Sequence, residues 1–131
     1  MKHKQDVLVL GYGEVGKSIC GLYKDYTHIY NIYAKDIYKD IKDINIISPN
    51  TSIDVLHVAI PYTINFVKEV IINIYQHTPT LVIIDSTVPL HTTKDIYNKV
   101  KRRLKYINVV HSPLMGVHPN LTKSMQTFYK I

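Results

Sequence analysis

Apolar residues along this chain fall into short, nearly unbroken runs, separated by stretches with helical spacing. The run Val7-Leu8-Val9-Leu10, entered through Asp6, predicts a first strand, and residues 14–23 follow as a helix. Ile29-Tyr30-Asn31-Ile32-Tyr33-Ala34-Lys35 is rich in β-branched and aromatic residues and predicts a second strand. Residues 37–50 read two ways. Ile37, Ile41 and Ile44 have helical spacing, whereas Ile44-Asn45-Ile46-Ile47, closed by Ser48-Pro49-Asn50, fits a short strand. Either way, only an abbreviated second crossover fits between Asp36 and Asp54.

Beyond that segment the pattern sharpens. Residues 54–60 predict a strand stopped by Pro61, and residues 63–75 a helix with Phe66, Val67, Val70, Ile71 and Ile74 on one face. Residues 80–85 are almost continuously apolar, as a parallel strand covered on both faces should be. Residues 92–105 predict a helix carrying Ile96, Val100 and Leu104 four apart, residues 107–110 a further strand, and residues 127–131 the start of another. Strands alternating with helices predict a doubly wound, mostly parallel α/β sheet in three layers. No repeat, linker or low-complexity tract divides the chain, so residues 1–131 read as one domain.

A length of 131 residues with 46% hydrophobic content can bury one core, but it leaves no room for a second domain of usual size. The net charge of +6 rests mostly on lysine. Its densest run, Lys99 with Lys101-Arg102-Arg103 and Lys105, falls near the end of a predicted helix, where cations complement the dipole. No nucleic-acid partner is expected from it. The single cysteine, Cys20, can form no internal disulfide and implies a reducing compartment. The four-residue apolar run near the N-terminus is too short for a signal peptide or a membrane span. The expectation is therefore a cytoplasmic protein without a membrane partner, and a homo-oligomer is an open alternative. His3, His28, His77 and His91 are scattered, His57 reads as a core or sheet-face residue, and no acidic or cysteine partner accompanies His111 and His118, so no metal is expected.

The sharpest chemistry lies at Gly11-Tyr12-Gly13-Glu14-Val15-Gly16, between the first strand and the first helix. In that context G-x-G-x-x-G is a dinucleotide-binding fingerprint. Gly11 permits the tight turn, Gly13 lets a diphosphate approach bare backbone, and Gly16 lets helix and strand pack closely. The helix start then aims N–H groups and positive dipole at the phosphates. Asp36, twenty residues beyond Gly16 at the end of the second strand, is placed to accept ribose hydroxyls and to repel a 2′-phosphate. The cofactor read from these residues is NAD rather than NADP, with Lys35 and Lys39 nearby as the opposing signal.

With these motifs, and with Val58-Ala59-Ile60-Pro61-Tyr62 and Asp85-Ser86-Thr87-Val88-Pro89, the chain resembles the N-terminal NAD-binding Rossmann domain of the β-hydroxyacid dehydrogenase superfamily. Within it, the nucleotide-sugar dehydrogenases and prephenate dehydrogenases are the most similar branches. The resemblance implies that Ala59, Ile60 and Pro61 line the cofactor and that Ser86 and Thr87 lie near its reactive ring. His111-Ser112-Pro113-Leu114-Met115-Gly116 is similar to the catalytic-histidine segment of prephenate dehydrogenases, with one extra residue. The chain departs from the nucleotide-sugar branch at Leu114, where a glutamate is usual, so no substrate class carries over.

Ser86 can polarise a substrate or simply cap a strand end; His111 can serve as general acid/base or be an ordinary loop histidine. Together these features imply the cofactor-binding part of an NAD-dependent oxidoreductase acting on a hydroxyl-bearing small molecule by hydride transfer, its substrate held by a further domain or chain. The alternative is a non-catalytic NAD-sensing regulatory domain. A third, adenosylhomocysteinase-like reading shares the glycine loop but fits the later strands less well.

Overall fold

The computed structural model describes residues 4–36, 40–42 and 44–112. In chain order these build β1 (Gln5–Leu10), α1 (Glu14–Tyr23), β2 (Tyr30–Lys35), β3 (Asn45–Ile46), β4 (Val55–Val58), α2 (Phe66–His77), β5 (Leu81–Ile84), α3 (Thr92–Val100) and β6 (Asn108–His111). The six strands form one sheet in the order β3-β2-β1-β4-β5-β6, and every pairing is parallel. The chain winds outward from β1 to β3, then returns to lay β4 against the other side of β1. That reversal opens a crevice beyond the carboxyl ends of β1 and β4, where ligands of open α/β sheets bind.

Alternation along the strands sorts side chains onto two faces. On one face, Leu8, Leu10, Leu56, Val58, Val82 and Ile84 pack with Phe66, Val70 and Ile74 of α2 and with Ile96 and Val100 of α3. On the other face, Val9 packs with Ile19 of α1. The doubly wound, three-layer architecture expected from the sequence is therefore present. Among the described residues, no helix is long and apolar enough to cross a membrane.

Several boundaries differ from expectation, each for a local reason. Of the two readings of 37–50, the described residues show the short strand β3, while 37–39 and 43 lie outside them. β4 stops at Val58 rather than running to residue 60, because its neighbour β1 leaves the sheet at Gly11. α2 starts at Phe66 rather than residue 63: the Asn65 N–H bonds the Thr63 hydroxyl and the Phe66 N–H the Thr63 carbonyl, closing a turn ahead of the helix. α3 ends at Val100, and residues 101–106 continue as turns, with Leu104 still bonded back to Val100. Lys101, Arg102, Arg103 and Lys105 thus follow the helix end instead of extending it. β6 runs on to residue 111, so His111 closes the strand. The strand expected at 127–131 lies outside the described residues, as does His118.

Where residues 47–54 return beneath α2, His77 is fully buried at the helix end. Its Nδ1 lies 2.7 Å from the Thr51 carbonyl oxygen, and its Nε2 is buried with no hydrogen-bond partner among the described residues. A carbonyl only accepts, so Nδ1 carries the proton and Nε2 is a bare lone pair. Burial holds this imidazole below its ordinary pKa, the bond to Thr51 works against that shift, and the nearby Lys35 ammonium adds to it. The folded ring therefore refuses a proton that the unfolded chain accepts below about pH 6.5. Stability from this group is complete above that pH and is lost as pH falls, by up to about 1.4 kcal/mol per pH unit. Urea midpoints measured at about pH 7.5 and 5.5 should show this slope. His77→Asn, which keeps a donor toward Thr51 but does not titrate, should flatten it; equal slopes in the two proteins would contradict the assignment.

Candidate functional site

β1 turns out of the sheet at Gly11, and contacts on both sides dictate a glycine there. The Gly11 N–H bonds the Lys35 carbonyl at 2.7 Å, carrying the β1–β2 ladder one residue further. Its φ of +102° is a conformation that L side chains rarely adopt, and a β-carbon would stand 2.5 Å from the Ala59 carbonyl oxygen. Gly16, in the first turn of α1, sits against the same loop, where a β-carbon would overlap the Gly11 carbonyl oxygen. Gly13 is different. It is the N-cap of α1 at φ −79°, and among the described residues nothing lies within 4 Å of where its β-carbon would stand. The first N–H groups of a helix have no partners within it, and Gly13 brings no side chain to cap them. Glu14 and Val15 open that helix, Glu14 exposed and Val15 packed toward Val9 and Ile19.

Asp36 follows β2 and turns toward the same loop. Its Oδ2 accepts the Tyr12 N–H at 2.7 Å. The Tyr12 ring is buried against Ala34 and Ile41, with the Lys17 ammonium 5.6 Å from its centroid. Lys35, the neighbour that weighed toward a 2′-phosphate, points to the opposite face. Its ammonium donates to Asn73 Oδ1 at 2.8 Å and Gln76 Oε1 at 2.9 Å on α2, and burial lowers its pKa. Lys39 lies outside the described residues.

Across the crevice, the ends of β4, β5 and β6 are tied in series. The Ala59 N–H bonds the Leu10 carbonyl at 2.8 Å. The Ser86 hydroxyl donates to the Ile60 carbonyl at 2.6 Å, and the Ser86 carbonyl lies 3.1 Å from His111 Nε2. Nε2 therefore carries the proton, and in the neutral ring the lone pair is on Nδ1. Pro61 and Thr87 are exposed at the rim. Gly11, Ala59, Ile60, Ser86 and His111, read from the sequence as separate motifs, thus form one line of contacts along the sheet's carboxyl edge. In this geometry Ser86 joins two strand ends with its proton, and His111 presents an exposed basic nitrogen. Among the described residues, no group of three or more His, Cys, Asp or Glu side chains could hold a metal ion.

Sequence reasoning missed a buried polar chain on the α1 face. The Tyr23 hydroxyl meets His57 Nε2 at 2.7 Å, and His57 Nδ1 meets Asp85 Oδ2 at 2.8 Å. The carboxylate sets the tautomer: Nδ1 holds the proton and, in the neutral ring, Nε2 accepts the phenol's. The chain runs from the end of α1 across β4 to the residue before Ser86, so it anchors the strand end that carries the site. The signal available was a histidine between Leu56 and Val58 in a buried strand, which requires partners. Register, invisible in sequence, decides who they are. Asp85→Ala strands the His57 Nδ1–H in the core and should cost about 2–3 kcal/mol in urea unfolding, against about 1 kcal/mol for Tyr23→Phe. A cost for Asp85→Ala within about 0.5 kcal/mol of zero would show that the pair contributes little.

No family model matches this chain, and no curated protein does. Solved structures do. A crystal structure of an uncharacterized protein superimposes with a TM-score of 0.60 at 13% identity, covering 99% of this chain and 100% of that one. The dimeric ketopantoate reductase from Staphylococcus aureus superimposes with a TM-score of 0.54 at 15% identity, covering 84% of this chain and 40% of the reductase. At such identities the likeness is one of architecture, and with the parallel order β3-β2-β1-β4-β5-β6 it gives this chain a Rossmann-like fold.

Proposed function

We propose that this chain is the NAD-binding unit of an oxidoreductase that takes hydride from a hydroxyl-bearing small molecule. The observation that carries this is the space over Gly13, open among the described residues, at the start of α1 where the N-cap brings no side chain, with the Asp36 carboxylate turned to the same loop. Two glycines in that loop are forced by packing and the third is not, so a need outside the protein explains Gly13 best. A diphosphate against bare backbone at a helix start meets that need. Gly11 and Gly16 shape the cradle, Tyr12 to Val15 line it, and Asp36 takes the ribose hydroxyls. Ala59, Ile60 and Pro61 border the next section of the crevice, with Ser86 and Thr87 beyond them. The likeness to a reductase is in keeping with this assignment.

When bound, the nicotinamide ring supplies the hydride-accepting chemistry. The chain's own contribution is proton handling and placement. His111 Nδ1, with Nε2 fixed on the Ser86 carbonyl, is placed to take the hydroxyl proton. Ser86 holds the β4 and β5 ends in register beneath it. The remainder of the substrate pocket belongs to a further domain or chain.

Fluorescence titration of the folded chain with NADH and NADPH tests the assignment. NADH should bind at least about tenfold more tightly, since the Asp36 carboxylate repels a 2′-phosphate. Asp36→Asn keeps an acceptor for the Tyr12 N–H but removes the charge, and should erase most of that preference. Failure of the folded chain to bind either dinucleotide at about millimolar concentration would remove the proposal.

A further inference from the structure

One end of the buried Tyr23–His57–Asp85 chain lies at the crevice. Asp85 follows the last residue of β5 and precedes Ser86, and its side chain has 0% exposure. Register sets Val9, His57 and Ile83 side by side on the α1 face of the sheet, and the contact with His57 places the Asp85 side chain on that face too. The Asp85 N–H bonds the Val58 carbonyl at 2.8 Å, which levels it with the end of β4. A carboxylate is thus buried at the carboxyl ends of β4 and β5, on the side of the sheet that carries α1.

None of the three linked groups is a permanent cation. Asp85 Oδ2 lies 2.8 Å from His57 Nδ1, and His57 Nε2 lies 2.7 Å from the Tyr23 hydroxyl. With a neutral ring the chain carries one negative charge; with an imidazolium it is a dipole. In both cases the negative end is at the crevice. A buried ionic group is often no more stabilising than an apolar one of the same shape, so folding alone does not account for this carboxylate. Its field reaches further than that of a surface charge, because a buried charge is screened little.

We propose that Asp85 sets the redox-state preference of the crevice, favouring the oxidised dinucleotide over the reduced one. The nicotinamide ring is cationic when oxidised and neutral when reduced, so a fixed negative charge at these strand ends stabilises the oxidised form alone. The oxidised form is then retained and the reduced form released, as suits a chain that takes hydride from its substrate. This inference rests on the NAD-binding assignment above.

The test is isothermal titration calorimetry of the full chain with NAD⁺ and with NADH. The wild type should bind NAD⁺ the more tightly, and the ratio of the two affinities should hold at about 0.5 M salt. Asp85→Asn keeps an acceptor toward His57 and loses the charge. It should move the ratio toward NADH by at least about fivefold, mainly through weaker NAD⁺ binding. Tyr23→Phe, which changes the same chain without changing its charge, should leave the ratio as it is. The proposal is overturned if the wild type binds NADH as tightly as NAD⁺, or if its preference vanishes in salt. It is also overturned if Asp85→Asn weakens both forms in parallel, or if Tyr23→Phe moves the ratio equally. Should Asp85→Asn fail to fold, the wild-type ratio and its salt dependence decide. A folded chain that binds both forms without preference loses this inference and keeps the NAD assignment; one that binds neither loses both.

Discussion

Gly16→Ala is expected to cost at least about 4 kcal/mol, a large share of the roughly 5–15 kcal/mol that holds a domain folded. The added methyl has nowhere to go. Its β-carbon overlaps the carbonyl oxygen of Gly11, which is backbone and cannot rotate aside as a side chain would. Gly11 in turn is fixed by its bond to the Lys35 carbonyl and by its approach to Ala59. Relief therefore requires α1 to move off β1, opening the Val9–Ile19 contact that seals this face of the sheet. Far-ultraviolet circular dichroism and urea unfolding would show it. A Gly16→Ala protein with a wild-type midpoint would mean that α1 does not sit where it is described.

Gly13→Val should do the opposite, sparing the fold and removing the ligand. Its φ of −79° suits any residue, and the new β-carbon meets no atom of the described residues within 4 Å, so the cost should not exceed about 1 kcal/mol, the difference expected between glycine and an apolar residue at an N-cap. The isopropyl group fills the space assigned to a diphosphate, and NADH affinity should drop by about 100-fold or more. The two glycines are three residues apart in one motif, and one is needed for packing, the other for binding. If Gly13→Val bound NADH like the wild type, the open space over Gly13 would be a surface without a ligand.

How much of this was legible in the sequence follows from which interactions are local. α1 begins at Glu14 and ends at Tyr23 as read, because the glycine loop and the apolar run before it fix its start. The parallel sheet was legible because its strands are short apolar runs between helical stretches, a pattern that needs no long-range information. Helix ends were less so. Only the structure shows the Thr63 hydroxyl taking the Asn65 N–H, which delays α2 by three residues. The site divided along the same line. The glycines and Asp36 form a motif of fixed spacing, while the ties from Ser86 to Ile60 and from His111 to Ser86 depend on strand order. The Tyr23–His57–Asp85 chain depends on register across three elements and had no sequence signature beyond a polar residue in a buried strand.

The assignment as a whole turns on whether a dinucleotide lies across the start of α1. Heteronuclear NMR of the labelled full chain, titrated with NADH, reads that directly. The account predicts that the amides of Gly11, Gly13, Val15 and Asp36 shift together and saturate along one binding curve, with Ala59 and Ser86 following. Shifts confined to the far ends of the strands, or spectra unchanged at about 5 mM NADH, would contradict it.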